Sequence, residues 1–313
     1  MTEIRLYTPE LRSEWDSFTE KAKNATFLFK RGYMDYHSQR FADSSLLIYK
    51  GGKLKALLPA NIDGNTLYSH QGLTYGGLVI SEEIASTEVT EIFRDINLFL
   101  KDIGINRVIY KALPHIYSTV PSEEPLYALH NICGARIIER DISSAINLNE
   151  RPTWSRDRKY SAHRAFREGI VVERSDDTEA FWNVLETNLM DTYGVRPVHT
   201  LEEINLLRNR FPNNIILYTA SHEGEVVAGT ILYVCGRVIH AQYISANKEG
   251  KRLRAIDAIY SRILNEEKWN ADYFDFGRST EDFGKKINEG LIHQKEGFGG
   301  RGVCYDTYEW EIR

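Results

Sequence analysis

The sequence predicts a mixed α/β (α+β) fold made of two copies of one unit, each a mixed, mostly antiparallel sheet flanked by helices. Three observations predict it. A three-strand meander occurs twice: Ser45–Tyr49, Leu54–Ala60 and Thr66–Ser69 are separated by Lys50-Gly51-Gly52-Lys53 and Asp63-Gly64-Asn65. Later Ile215–Ala220, Val226–Tyr233 and Val238–Ser245 are separated by Glu223-Gly224 and Cys235-Gly236. Each meander is preceded by two helical patterns and followed by a long one. The chain has 313 residues, 42% of them hydrophobic, enough for two cores of ordinary domain size. The expected division is residues 1–150 and 151–313, the second opening with a basic linker helix.

In the first copy, Ile4–Tyr7 reads as a strand, and Pro9 opens a helix whose Leu11, Trp15 and Phe18 recur at helical spacing. A second helix is expected over Arg31–Phe41. After the meander, Ile84–Ile103 places Val89, Ile92, Phe93, Ile96 and Leu100 on one face and stops at Gly104. Arg107–Ala112 is a buried-looking strand, a short helix runs through His130, and Gly134–Leu148 supplies further strand. In the second copy Ile170–Glu173 is the strand, and Thr178–Tyr193 and Thr200–Arg210 are helices. Arg254–Trp269 is the long helix, Tyr273–Phe276 an aromatic strand, Asp282–Gln294 a polar helix or turn, and Tyr305–Ile312 the terminal strand.

Composition narrows the function classes. No run approaches the ~18 apolar residues of a membrane helix, and the N-terminus lacks a basic segment followed by an apolar one, so integral membrane contact is not expected and the default location is cytoplasmic. Cys133, Cys235 and Cys304 are odd in number and far apart, which gives neither a zinc site nor a disulfide framework, and no His/Cys/Asp cluster has ligand spacing. A net charge of -5 argues against general DNA binding.

Four stretches carry candidate chemistry. The first is Ala271–Gly300, where the strand breaks at Gly277 and Arg278-Ser279-Thr280 follow its carboxyl end, the place where open α/β sheets bind ligands. The second is the β-stretch with His240, Gln242 and Tyr243. Strand alternation puts His240 and Gln242 on one face and Tyr243 on the other. Acyl transfer to an amine needs a proton acceptor, a stabilised oxyanion and an aligned donor. Asp275 and His240 are the candidate acceptors, Tyr243 the candidate donor to the leaving group, and Arg278 a candidate clamp for carboxylate or phosphate; each is also accounted for as a satisfied structural residue. The third stretch is the linker Arg151–Arg174, with seven Arg or Lys against three acids; helical spacing aligns Arg156, Lys159, His163 and Arg167, as a phosphate-binding face or a solvated one. The fourth is Ser245–Arg254, a helix start where Gly250, Lys251, Arg252 and Arg254 favour an anion. In the first copy Lys30, among aromatics, is a candidate contact for an acceptor's phosphate or carboxylate, and His70, Gln71 and Tyr75 sit in a glycine-rich stretch too polar for ordinary sheet.

The string FDFGRS, then Gly290-Leu291, Lys295 and Phe298-Gly299, resembles the C-terminal signature of Fem-type peptidyltransferases and their relatives among tandem-GNAT acyltransferases. His293-Gln294 stand where an aromatic often precedes the lysine. The linker's Ser161, Arg164, Ala165 and Gly169 are similar to the segment that begins the second domain in that group. The order βααβββαβαβ, met twice, resembles the GNAT unit, so the resemblance spans nearly the whole chain. It implies a tandem-GNAT fold, Lys295 at the substrate site, and an N-acyltransferase taking an acyl group from acyl-CoA to an amine on an amino sugar or another cell-envelope precursor. The alternatives are a Fem-type transferase using charged tRNA for a peptidoglycan precursor and a binding protein without catalysis. CoA-using GNAT enzymes carry R/Q-x-x-G-x-G/A at the pyrophosphate loop, of which Ser245–Arg254 keeps only Gly250.

Overall fold

The computed structural model describes residues 2–150 and 153–312; Arg151, the first basic residue of the linker and the expected start of the second domain, lies outside them. The chain forms two compact units: residues 1–142, 280–287 and 303–313, and residues 143–279 and 288–302. The carboxyl-terminal strand thus completes the first unit, and the strand before the linker ends in the second.

In the first unit β1 (Thr2–Leu6), β2 (Leu46–Lys50), β3 (Lys53–Leu58) and β6 (Val79–Ile80) form an antiparallel sheet in the order β1-β2-β3-β6. β4 (Asn61–Asp63) pairs antiparallel with β5 (Thr66–Tyr68), β5 pairs parallel with β7 (Arg107–Lys111), and β7 pairs antiparallel with β16 (Arg301–Glu311). Helix α1 (Arg12–Lys21) buries Trp15, and α3 (Ser86–Asp102) buries Val89, Ile92, Phe93, Ile96 and Leu100, the apolar stripe its sequence spaces at helical intervals. The α3 stripe packs with Leu46, Ile48, Leu67, Val108 and Trp310 into one core, joined by Ala128 and Leu129 of α4 (Glu124–Asn131).

The expected helix Arg31–Phe41 is only α2 (Arg31–Met34), followed by a 3-10 turn over Asp35–His37. Tertiary contacts override the pattern. The buried Arg31 guanidinium bonds Asp35 and Asp43 and lies 3.7 Å over the Tyr7 ring, and the buried His37 packs edge-on against Phe41 and His70.

In the second unit the carboxyl end of β8 (Arg136–Asn147) pairs with β13 (Tyr273–Arg278). The sheet continues through β12 (Val238–Ala246), β11 (Glu225–Cys235), β10 (Ile215–His222) and β9 (Val171–Ser175). All neighbours are antiparallel except β12 and β13, which run parallel. Helix α5 (Arg156–Arg167) packs on α9 (Ala255–Ser261), and their alanines Ala162, Ala165, Ala255 and Ala258 let both helices close on Ile239, Ala241, Leu232 and Phe274. On the other face α6 (Thr178–Tyr193) lies on β11 and β12, and α7 (Leu201–Arg210) on β10. A Cβ at Gly229 of β11 would come within 2.4 Å of the Phe181 ring, so glycine there sets how near α6 approaches.

Two expected elements differ. The long helix Arg254–Trp269 is α8 (Lys248–Arg252), then α9, then a π turn over Arg262–Glu266; Arg254 stands between α8 and α9 with φ +60° and breaks the run. The Trp269 indole donates to the Ile263 carbonyl at 2.9 Å and folds the chain back there. The expected helix or turn Asp282–Gln294 is a hairpin of β14 (Thr280–Glu281) and β15 (Lys286–Ile287), then α10 (Glu289–Gly297). That helix begins only where the Asn288 side chain caps the Leu291 N–H at 3.0 Å.

Candidate functional site

The sheet of the second unit opens at one point. β12 and β13 pair in parallel at Val238↔Tyr273, Ile239↔Phe274 and His240↔Asp275, and no further. Past that rung β13 bulges between Asp275 and Arg278, while β12 continues against β11 alone, to Ala246. The last paired rung therefore holds the two candidate proton acceptors, at the mouth of a fork between strands.

The pair is built for one orientation. Asp275 is fully buried; its Oδ2 lies 2.9 Å from His240 Nδ1, and its Oδ1 accepts from the Ser143 hydroxyl and from the Gly277 N–H at 3.1 Å. A buried carboxylate without partners is costly, and three donors supply the compensation. With Nδ1–H held by Asp275, the imidazole presents Nε2 as its basic atom. Gly277, at φ +79°, makes room for it: a Cβ there would stand 3.4 Å from His240 Cε1 and 4.0 Å from Nε2.

Lys295 reaches this turn from α10. Its ammonium donates to the Gly277 carbonyl, the Arg278 carbonyl and the Ser279 hydroxyl, each at 2.8 Å, and so fixes the turn that supplies the Gly277 N–H. Burial lowers its pKa to about 8, with Asp275 acting in the opposite sense. Arg278 presents an exposed side chain at the end of β13.

Tyr243 lies beyond the fork, and here strand alternation misleads. The register passes from Leu232↔Ala241 to Ile231↔Tyr243, leaving Gln242 as an extra, bulged residue. The bulge puts Tyr243 on the same face as His240, the face covered by α6, whereas Ala241 and Ala246 belong to the core under α9. The Tyr243 hydroxyl lies 2.6 Å from His199 Nδ1 and 3.3 Å from the His199 backbone N–H, and its ring meets Trp182 edge-on.

The anion-binding candidates are partly engaged at home. The Gly250 N–H donates to the Asn247 side chain at 2.8 Å, Arg252 holds Glu249 at 2.9 and 2.6 Å, and Lys251 reaches Asn188. Arg254 is exposed. Gly250 has a packing reason of its own: a Cβ would stand 2.3 Å from the Val227 carbonyl oxygen. Arg156 is exposed at the start of α5, where Ser155 caps the helix. The neighbouring Arg158 turns inward to Asp257 at 3.1 Å.

In the first unit the equivalent place is filled. After β5, which runs parallel to β7 as β12 does to β13, residues 70–77 fold back on the strand. Lys111 Nζ donates to the Gln71 and Leu73 carbonyls at 3.2 and 2.9 Å, and the Gly76 N–H reaches the Lys111 carbonyl at 3.1 Å. Gln71 is locked to Asn61 by two hydrogen bonds, and Tyr75 is buried against Phe29 and Tyr117. His70, buried at φ +70°, is held neutral: burial lowers its pKa to about 3, with His37 adding to the effect. Lys30 is half-exposed and ion-paired with Glu20 at 2.9 Å.

Residues 153–285 match a family model described as an acetyltransferase (GNAT) domain. The chain is a transferase of the GNAT fold, Fem-like in architecture. This transferase superposes on the crystal structure of FemX with TM-score 0.69 at 10% identity, over 99% of this chain and 97% of that one. L-PGS from Bacillus licheniformis matches with TM-score 0.61 at 14% identity, over 96% and 91%. A tandem GNAT protein from the clavulanic acid biosynthesis pathway matches with TM-score 0.53 at 12% identity, over 100% and 99%. No curated protein matches the transferase in sequence.

Sequence reasoning missed Ser143, His199 and Trp182 as site residues. Only Ser143 left a trace, as half of a serine pair in an otherwise apolar strand end, Ser143-Ser144-Ala145-Ile146.

Proposed function

We propose that the second unit transfers an acyl group from acyl-CoA to an amine borne by a small molecule or a cell-envelope precursor, the chain being organised as two repeats over residues 1–150 and 151–313. The observation that carries this reading is the His240–Asp275 pair on the last rung before β12 and β13 part. The donor's acyl group lies in the fork. His240 Nε2 takes a proton from the acceptor ammonium, and the neutral amine attacks the thioester carbonyl. The peptide group at the Gln242 bulge, drawn out of the ladder, faces the developing oxyanion. The C–S bond breaks, the leaving thiolate takes the Tyr243 proton, and the second proton lost by the new amide nitrogen returns to the Tyr243 oxygen through the neighbouring His199. Asp275 stays ionised, holds the tautomer and stabilises the imidazolium. Arg278, Arg156 and the Lys251–Arg254 segment bind the charged parts of donor and acceptor, and Lys30 stays with the first unit, paired with Glu20. His70, Gln71 and Tyr75 shape the first unit. No metal enters the scheme.

One observation favours a second reading, charged tRNA as donor: Gly250, Lys251 and Arg252, which would wrap a pyrophosphate, are engaged by Asn247, Asn188 and Glu249. A thermal-shift titration separates the two, since a ligand preferring the native state raises the melting temperature. A saturable shift with acetyl-CoA or longer acyl-CoAs supports the first reading. A shift with aminoacyl-tRNA alone, weakening steeply with salt, supports the second. No shift with either refutes both donors.

A further inference from the structure

The first unit carries a cleft that no step of the proposed reaction uses. It lies at the amino end of β7, the opposite end of that strand from the filled fork, and its volume of about 750 Å³ is that of a small-molecule site. Its floor is ordered before any ligand arrives. Glu309 of β16 is only 8% exposed; its Oε1 accepts from Nε and Nη2 of Arg107, and its Oε2 from Nε and Nη2 of Arg136 at 3.1 and 2.7 Å. One buried carboxylate thus fixes two guanidinium groups and occupies a single edge of each. The two Nη1 groups have no partner among the described residues, and the arginine side chains are 47% and 78% exposed. Nη1 with the second Nη2 hydrogen makes a planar fork that matches a carboxylate.

The rest of the lining carries the opposite sign. Glu311 stands across the ladder from Arg107, exposed and without an ion pair among the described residues. Helix α4 ends at Asn131, and the His130 and Asn131 carbonyls accept no hydrogen bond among the described residues, so the negative end of the helix borders the cleft. Asn97 of α3 adds a neutral contact. Its Oδ1 accepts the Trp310 indole N–H at 3.0 Å, which fixes the amide; its Nδ2 then meets Cys133 Sγ at 3.7 Å, a weak acceptor, and keeps one hydrogen for a ligand. Arg107 and Arg136 against Glu309 and Glu311 leave the lining without net charge, so a polyanion would meet two carboxylates as well as two guanidinium groups. A small molecule with one charge of each sign meets a complement at both ends.

We propose that this cleft binds a free α-amino acid with a polar side chain. The carboxylate lies on the Arg107 and Arg136 forks, the ammonium at Glu311 and the end of α4, and a side-chain oxygen takes the spare Asn97 N–H. The site is separate from the fork of the second unit and stands whether or not that fork transfers an acyl group. The full chain is titrated by calorimetry with glutamine, with glutaramate, which lacks the ammonium, with 4-aminobutanamide, which lacks the carboxylate, and with inorganic phosphate. Glutamine should bind saturably, and loss of either charged group should weaken binding by about tenfold or more, the worth of a charge-assisted hydrogen bond. Arg136→Gln and Glu311→Gln, both at exposed positions and so expected to melt with the native chain, should each weaken glutamine to a similar degree. Arg136→Gln should leave the affinity for 4-aminobutanamide unchanged, and Glu311→Gln that for glutaramate. Arg140→Gln, further along β8 and outside the cleft, should leave glutamine binding intact. Phosphate binding more tightly than glutamine, or equal affinities for glutamine and its two truncated forms, overturns the proposal. So does a loss caused by His240→Ala and not by Arg136→Gln, which would put the amino acid in the second unit's fork. No saturable binding of glutamine or of any other common amino acid overturns it as well.

Discussion

Replacing Asp275 by Asn tests the proposed base through a change of one atom. Asp275 Oδ1 accepts from the Ser143 hydroxyl and the Gly277 N–H, while Oδ2 faces His240 Nδ1. An asparagine must keep its oxygen toward Gly277, because a backbone N–H cannot accept. Its NH₂ then faces His240 Nδ1 as a donor. The imidazole must answer with a lone pair on Nδ1, which moves its proton to Nε2 and removes the base. General-base catalysis contributes roughly 10²–10⁴-fold, and the wrong-tautomer substitution in serine proteases costs about 10⁴, so kcat should fall by about 10²–10⁴ with KM little changed. The fold survives, since the introduced amide oxygen still accepts two of the three hydrogen bonds; the lost charge-assisted bond costs about 1.5–3 kcal/mol. Initial rates on acyl-CoA and an accepted amine are compared for Asp275→Asn, His240→Ala and the double variant. The two residues act as a unit, so the double variant should be hardly slower than either single one. Multiplicative losses, or a folded Asp275→Asn with native kcat, would refute the reasoning.

Three further outcomes follow from buried groups. Lys295 is a lysine whose pKa falls from 10.5 unfolded to about 8 folded, so between those values the unfolded chain binds more protons and stability rises with pH. Melting curves across pH 8 to 10.5 should show that slope, and Lys295→Met should remove it while leaving the Gly277 and Arg278 carbonyls without their donor. His70, at about 3 against 6.5 unfolded, makes stability rise with pH across that lower window. His70→Asn, which tolerates positive φ, should flatten the acid limb of the stability profile measured by urea unfolding. Gly250→Ala drives a methyl against the Val227 carbonyl and should cost about 1–3 kcal/mol, read as a lowered urea midpoint at unchanged m-value.

The strands and helices were legible where a face is buried in a regular repeat. Val89, Ile92, Phe93, Ile96 and Leu100 sit at helical spacing because α3 covers one core, and β10, β11 and β12 are largely buried runs separated by short glycine turns. What sequence could not show is where regular geometry is broken. The Gln242 bulge moves Tyr243 across the sheet, and no residue type announces it. Arg31–Phe41 has helical spacing, yet Arg31 is drawn to Asp35 and Asp43 and His37 into contact with His70, so the helix stops after one turn. Asp275 and His240 were legible as candidates because charged and imidazole groups stand in aromatic or apolar strands. Their pairing was not, because it depends on the parallel register of two strands separated by α8 and α9.

The two units show what decides whether a forked sheet becomes a site. Both place a parallel pair at the same point, β5 with β7 and β12 with β13. In the first, Lys111 donates its ammonium to the chain that leaves β5, the Tyr110 hydroxyl takes the Leu78 N–H, and Tyr75 packs against Tyr117. Lys111, Gln71 and the Tyr110 hydroxyl are satisfied internally, and His70 has lost its basicity to burial. In the second, Lys295 does the corresponding work from the far side, holding the turn at Gly277 and leaving the strands apart. One lysine closes a fork by bonding the chain across it, and the other keeps a fork open by bonding behind it. On the proposed reading, the direction from which each lysine arrives is what leaves the second unit's fork, and not the first's, available to a substrate.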